Sequence, residues 1–152
     1  MKDDRLRIPV EQSYLVSLGL ATYAFSRLEW DGVWCGERLE PGFIRTVAKK
    51  TAGRIASDLL AIIDRIVDPA VRAVCEPPAI EFKALVDTRN GILHSNPATA
   101  PGGAQRLIRH GFVWTPEEID KAADAFTECS TRMNALLYGD LRDGVSHTLN
   151  PA

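Results

Sequence analysis

The chain has 152 residues, of which 45% are hydrophobic and 25% are charged, and its formal net charge is −2 at pH 7. This length and hydrophobicity allow one domain with a real core, and the apolar runs are far shorter than the roughly 20 residues that a membrane span needs. The small negative charge excludes a protein that attracts nucleic acid through its global field, so any RNA contact would be local.

The first predicted helix begins at about Pro9 and runs to Leu39, because apolar residues recur along one face at helical spacing. These residues are Tyr14, Leu18, Ala21, Phe25 and Leu28. The Asp31-Gly32 pair is a point where this helix could bend. A turn at residues 40–42 ends it, since proline cannot continue a helix and glycine relaxes one. A second helix is predicted from about Phe43 to Val67.

A third long helix follows a short helical turn. Asp68 is a candidate N-cap before a proline at the first helical position, which predicts a turn over residues 69–75 that Pro77 and Pro78 close. The long helix then runs over residues 78–95. The Asn-Pro pair after it ends the helix, because the residue before a proline is pushed out of the helical region.

A small β-hairpin is predicted before the last helix. Residues 98–104 are rich in glycine and proline and predict a loop. Two short runs with strand character follow, Gln105–Arg109 and Phe112–Trp114, separated by His110 and Gly111. Arg106 and Arg109 alternate on the first run and could touch an RNA backbone, although a solvated strand face is the simpler interpretation.

The last helix has the clearest start in the chain. Thr115 can cap it, the next residue is a proline, and Glu118 completes a capping box. The helix is expected to stop near Gly139, and residues 140–152 have little to bury and predict a loose tail. Together the elements predict an all-α fold, a bundle of four to five helices with the small β-hairpin before the last helix.

The sequence also indicates the number of domains, the cellular compartment and the oligomeric state. Residues 1–152 form a single domain with an ordered core from about 9 to 139, and the charged start lacks the apolar run of a secretory signal. Three cysteines far apart, without a CxxC pair, argue against disulfides and zinc and favour a reducing cytoplasm. Trp30, Val33 and Trp34 do not fit a four-helix core, which predicts a homodimer face.

The end of the third long helix, residues 89–94, carries the strongest functional signal. On a projection of about 100° per residue, Arg89 lies within the apolar stripe, where a packing helix would place leucine. An unpaired buried guanidinium is costly, so either a carboxylate meets Arg89 or the stripe lines a cleft. Glu29 on the first helix is the candidate carboxylate, with a solvated surface charge as its alternative role.

Arg89-Asn90, three further residues and His94, within LVDTRNGILHSNP, resemble the signature of the HEPN family. The order of helices over roughly residues 10–139 is also similar. The resemblance implies a helical, usually homodimeric domain, and many members are metal-independent ribonucleases of toxin–antitoxin and other defence systems. It therefore implies an RNA substrate, no metal or cofactor, and an antitoxin protein as a partner. One toxin subgroup carries a modifiable tyrosine where this chain has Asn96, so silencing by that route is not expected.

The residue types at this motif suit RNA cleavage. Histidine changes charge near neutral pH, so His94 could act as acid or base. Arg89 could clamp a phosphate and stabilise developing charge, with Asn90 and Ser95 in support. On a straight helix, however, Arg89 and His94 point about 140° apart. Distortion at Gly91, the reach of the arginine, or a cleft shared by two subunits would each resolve this, and the shared cleft agrees with the dimeric habit of the family.

Three functions remain open from the sequence. The first is a metal-independent endoribonuclease with Arg89 and His94 as catalytic residues. The second is a non-catalytic HEPN-type module that binds nucleotide, RNA or a protein, which the pI of about 5.9 favours somewhat. The third is a helical interaction domain in which the motif is coincidental. In that case Arg89 would pair inside the bundle with Glu29 or Glu37, and His94 would contact the last carbonyls of its helix.

Overall fold

The computed structural model describes residues 10–143 and 149–151. Its helices and strands, in chain order, are α1 (Gln12–Leu39), a short 3-10 helix (Phe43–Thr46), α2 (Ala52–Asp64), α3 (Pro69–Leu93), β1 (Asn96–Thr99), β2 (Gln105–Arg109), β3 (Phe112–Trp114) and α4 (Pro116–Tyr138). The fold is mostly helical with one small antiparallel sheet before the last helix, so the all-α prediction is approximately right. The predicted helix start at about Pro9, within residues 1–9, and the parts of the predicted tail at residues 144–148 and 152 lie outside the described residues.

Helix α1 continues without a break through the Asp31-Gly32 pair. A Cβ atom added at Gly32 would lie 3.0 Å from Cε1 of Phe82, so this glycine allows α1 and α3 to approach closely. The buried Asp31 carboxylate accepts a hydrogen bond of 2.5 Å from the Ser130 hydroxyl on α4. Both residues therefore serve helix packing, and neither bends the helix.

The prediction of one helix from Phe43 to Val67 is wrong, because the chain forms the 3-10 helix and α2 with a break between them. Glu37 accepts backbone hydrogen bonds from Gly42 and Ile44 at 3.0 and 2.9 Å, which fixes the turn before the 3-10 helix. These bonds lower the pKa of the Glu37 carboxyl. Thr51 then starts a new helix, since its hydroxyl accepts the N–H of Arg54.

Helix α3 runs through Pro77 and Pro78, so the predicted boundary there is wrong. The predicted N-cap is confirmed, because the Asp68 side chain accepts the backbone N–H of Ala70 at 2.8 Å, but it begins α3 itself rather than a separate short turn. A proline inside a helix removes the hydrogen bond to the carbonyl four residues earlier. Those carbonyls belong to residues 73 and 74, which are exposed and open to water, while Pro78 is buried. Burial of α3 therefore prevails over the local helix-breaking signal.

The three strands form one antiparallel sheet in the order β1-β2-β3. The predicted hairpin is confirmed, and His110 and Gly111 turn it with φ values of 49° and 80°, as a two-residue hairpin turn requires. The loop predicted at residues 98–104 is wrong at its start, because residues 96–99 pair with β2. β1 is an edge strand and pairs with a neighbour on one side only. Pro97, which has no backbone N–H to donate, is therefore tolerated there.

Tyr14 ties this sheet to α1. Its hydroxyl donates to the carbonyl of Trp114 at 3.0 Å and accepts the N–H of Leu107 at 2.9 Å. Leu107 and Trp114 are register partners in β2 and β3, so the phenol bridges the two strands at this pair. Arg106 covers the Tyr14 ring at 4.7 Å and pairs with Glu11 at 2.9 Å. Its guanidinium is therefore engaged within the chain.

The prediction of a loose tail over residues 140–152 is wrong where the tail is described. Leu141 is fully buried, and its N–H donates to the carbonyl of Leu136. Leu149 forms an antiparallel bridge with Ile66 after α2. The apolar side chains in this segment are few, but α2 and α4 provide a surface that covers them.

The three cysteines are free and buried in the helical core. Burial raises the pKa of Cys75 to about 11 and that of Cys129 to about 12, and it also raises the pKa of Cys35. They behave as small core residues rather than reactive thiols. Across residues 10–143, none of the helices combines the length and hydrophobicity that crossing a membrane requires.

Candidate functional site

A small cleft of about 70 Å³ lies between α1 and the C-terminal part of α3. Its walls combine apolar and polar side chains, namely Ala21, Thr22, Phe25, Ser26, Glu29, Arg89, Ile92, Leu93 and Phe126. Arg89 lies in this cleft because the apolar stripe that contains it, with Ile92, faces α1. The residue that interrupts the stripe in the sequence therefore lines a cleft in the structure.

Arg89 is half-buried, and aromatic stacking and a neighbouring amide hold it in place. Its Nη1 donates to Oδ1 of Asn90 at 2.9 Å, and its guanidinium carbon lies 5.5 Å from the ring centre of buried Phe25. Among the residues that the structure describes, no carboxylate oxygen lies within 4.0 Å of this guanidinium. The remaining N–H donors of Arg89 are thus left for a ligand or for water.

Glu29 lies across the same cleft and is half-buried rather than fully solvated. Burial raises the pKa of its carboxyl above the ordinary value, and the positive charge of Arg89 opposes this rise only in part. Glu29 therefore feels the charge of Arg89 without forming a close ion pair. Glu37, the other carboxylate considered for Arg89, is engaged by backbone N–H groups instead.

The raised pKa of Glu29 predicts how stability depends on pH. A carboxyl whose pKa is higher in the folded state adds stability below the ordinary value of 4.5 and loses it as pH rises through the folded value. We therefore expect Glu29→Gln to raise the melting temperature at neutral pH by about 1–3 °C and to change it little in acid. Glu117→Gln is the control with the opposite sign, because hydrogen bonds lower the pKa of Glu117. A lower melting temperature of the Glu29 variant at neutral pH would contradict the expectation.

His94 lies outside the cleft of its own chain. It caps the end of α3, its backbone N–H donates to the carbonyl of Asn90 at 3.0 Å, and its side chain is exposed. The helix remains regular through Gly91, so distortion there does not bring His94 toward Arg89. The structure thus keeps the two candidate catalytic residues on different sides of the helix end, as the projection predicts.

Gly91 has a packing role that the sequence did not reveal. An added Cβ at this position would lie 2.7 Å from Cζ2 of Trp114, and the Trp114 indole donates to the carbonyl of Gly91 at 3.1 Å. The same carbonyl accepts the Ser95 hydroxyl at 2.6 Å. Gly91 is therefore where the sheet docks on α3, and Ser95 uses its hydroxyl to close the helix end.

Arg109 and Phe112 join the site through this docking. Arg109 donates to the backbone carbonyl of Asn90 at 3.0 Å, so Asn90 contacts two arginines, one through its side chain and one through its carbonyl. Phe112 is the register partner of Arg109 and remains exposed, with its ring 4.9 Å from that of Trp114. The alternation of residues in β2 indicated a polar face that includes Arg109. The sequence did not indicate that this face lies beside Asn90, because that contact depends on how the sheet packs against α3.

Comparisons of the chain with models of known protein families, with curated proteins and with solved structures found no match. Within residues 10–143 and 149–151, no group of three or more histidine, cysteine, aspartate and glutamate side chains is arranged to hold a metal ion. Function must therefore be inferred from the chemistry of the side chains at the end of α3.

Proposed function

We propose that the chain is a metal-independent endoribonuclease of the HEPN type that acts on RNA in the cytoplasm. The observation that carries the proposal is Arg89, a half-buried guanidinium that lines a cleft and has no carboxylate within 4.0 Å among the described residues. A guanidinium with free donors is suited to bidentate contact with phosphate oxygens.

The surroundings of Arg89 support an RNA ligand. Arg109 reaches the same Asn90, which places a second cation near the first despite the net negative charge of the chain. Phe112 offers an exposed ring beside Arg109, and base stacking on aromatic rings is a common way to hold single-stranded nucleic acid. Arg89, Arg109 and Phe112 together provide a local contact for RNA, which the small net negative charge of the chain does not exclude.

The proposed reaction is attack of a 2′-hydroxyl on the adjacent phosphorus. A bond forms between the 2′-oxygen and phosphorus, the bond from phosphorus to the 5′-oxygen breaks, and one proton passes from the 2′-oxygen to the 5′-oxygen. Arg89 stabilises the charge on the phosphate oxygens, and His94 transfers a proton at one of the two oxygens. Because His94 lies outside the cleft of its own chain, we place the reaction in a cleft shared with a second copy.

Incubation of the purified protein with RNA in the presence of EDTA tests this proposal. The ribonuclease proposal expects cleavage products, whereas the alternative, a non-catalytic module that binds nucleotide, RNA or an antitoxin protein, expects RNA binding without products. The acidic composition is the observation that favours this alternative. Absence of cleavage with retained RNA binding would replace the first proposal with the second.

Mixing two inactive variants tests the shared cleft. In a dimer of Arg89→Ala with His94→Ala, one of the two shared sites keeps both residues, because each copy supplies the one that the other lacks. Random pairing then restores about a quarter of the wild-type cleavage rate, since half of the dimers are mixed and each has one intact site. No recovery on mixing would show that both residues act from the same chain, and the matched control is each variant mixed with itself.

A further inference from the structure

An apolar seam runs along the outer face of α1, away from the core and away from the Arg89 cleft. It consists of Val16, Leu20, Tyr23, Arg27, Trp30 and Trp34, all of which are exposed. Val33, which the sequence placed on the same face, is instead buried at 1% exposure. On the helical projection the six seam residues lie within about 80° of each other, and the centre of the seam points about 140° from Glu29 in the cleft.

The spacing of the seam is that of a coiled coil. Successive seam residues are separated by four, three, four, three and four positions, which is the pattern that keeps one face of a helix against a second helix. With a rise of about 1.5 Å per residue, the seam is roughly 27 Å long. A surface helix packed against the core has no need for a second apolar stripe on its outer side.

We propose that this seam binds the same seam of a second copy in antiparallel orientation. A two-fold axis at position 25 places Val16 opposite Trp34, Leu20 opposite Trp30, and Tyr23 opposite Arg27. Small aliphatic side chains then meet indoles, which allows close packing along the whole seam. A parallel arrangement would instead place indole against indole and Arg27 against Arg27.

Arg27 fits the centre of this arrangement. Among residues 10–143 and 149–151, Arg27 forms no salt bridge, so its guanidinium is free to stack on the Tyr23 ring of the second copy. A single charged residue in an otherwise apolar seam also fixes the register of two helices. The pair occurs twice about the axis, once for each copy.

Gly19 is an independent indication that a second helix packs against this face of α1. A glycine inside a helix costs about 1 kcal/mol relative to alanine, and a Cβ added at Gly19 would have no atom within 4 Å. The packing of the chain itself therefore gives no reason for a glycine at this position. Beside Leu20 in the seam, its small size lets a second helix approach to the roughly 8–10 Å that separates packed helices.

The area of the seam is sufficient for a specific interface. Tyr23, Trp30 and Trp34 are 67%, 51% and 40% exposed, and since a buried aromatic side chain covers about 150–250 Å², these three offer roughly 300 Å² per copy. The aliphatic residues and the stem of Arg27 extend this to roughly 1,000 Å² over both copies, the size at which specific interfaces begin. A cleft beside Trp30, lined by Asp31 and Tyr138, continues the same surface.

Light scattering of the full chain at tens of micromolar measures the expected assembly. The chain has a mass of 16.7 kDa, and we expect at least twice this value. Leu20→Glu is expected to halve the measured mass, while Ile80→Glu, at a helical position of similar exposure (54% against 58%), leaves it unchanged. A wild-type mass of one chain, or an unchanged mass for the Leu20 variant, would overturn the proposal.

A charge pair tests the orientation. Leu20→Lys and Trp30→Glu should each dissociate the copies, whereas the double variant places opposite charges across an antiparallel seam and should regain the larger mass. In a parallel seam the double variant would bring like charges together and stay dissociated, which would contradict the antiparallel arrangement. The seam and the cleft face different directions, so the shared cleft of the proposed ribonuclease is a second contact between copies. Loss of the seam alone, as in Leu20→Glu, should therefore leave cleavage unchanged, whereas a wild-type mass of one chain would contradict both proposals.

Discussion

Arg89→Ala is expected to lower the single-turnover rate of RNA cleavage by about 10²–10³-fold, the usual cost of removing one preorganised donor to developing charge. Arg89 contributes one hydrogen bond, to its neighbour Asn90, so the fold should tolerate the change. Arg89→Lys keeps the charge but loses the forked geometry, and it should recover only part of the rate.

Two further variants test whether the loss of cleavage arises at the site that contains Arg89. His94→Ala should lower the cleavage rate by about 10²–10⁴-fold, the range for a general acid or base. Its side chain is exposed, so the substitution should leave the fold intact. Arg45→Ala, an exposed arginine on the 3-10 helix, is the matched control and should cleave at the wild-type rate. Wild-type cleavage by the Arg89 variant would remove Arg89 from the mechanism.

Phe82→Ala is expected to lower the free energy of unfolding by about 3–5 kcal/mol, because a fully buried phenylalanine leaves both lost burial and a cavity. Phe82 is 0% exposed on α3, it lies 6.3 Å from the Phe25 ring, and it packs against Gly32 of α1. Gly32, which Phe82 contacts, has no side chain that could fill the space.

Urea denaturation measures this loss as a lower transition midpoint. For a domain whose total stability is about 5–15 kcal/mol, the change removes a large share. Ile80→Ala on the exposed side of α3 is the control, and its effect should stay within about 0.5 kcal/mol. A loss below about 1 kcal/mol for Phe82→Ala would mean that the helix crossing at Gly32 is looser than the structure describes.

Local signals in the sequence predicted the parts of the fold that neighbouring residues control. Asp68 and Thr115 cap their helices as expected, and His110 and Gly111 form the hairpin turn. Only one of the two hydrogen bonds of the predicted capping box forms, from the N–H of Glu118 to the Thr115 hydroxyl. The Glu118 carboxylate binds Lys121 instead of the backbone N–H of Thr115. These contacts span only a few residues, so the sequence contains their cause.

The wrong predictions concern segments whose structure depends on residues far away in the sequence. Helix α3 passes through Pro77 and Pro78 because burial along its length outweighs two lost hydrogen bonds. Leu149, in the predicted loose tail, forms a bridge with Ile66, which is far from it in sequence. At the site, the position of Arg89 in the apolar stripe was enough to anticipate a cleft, but Gly91 gives no sign by itself that an indole 23 residues later will occupy the space beside it.

The pairing of α1 with α4 has a consequence for synthesis on the ribosome. The apolar face of α1 is covered largely by α4, as where Phe25 meets Phe126 with ring centres 5.1 Å apart. About a hundred residues separate these two rings, so at 5–20 residues per second the face of α1 waits roughly 5–20 s for its partner. With apolar residues on both sides, nascent α1 is a ready target for chaperones. Completion of the last helix sets the moment at which the chain can fold.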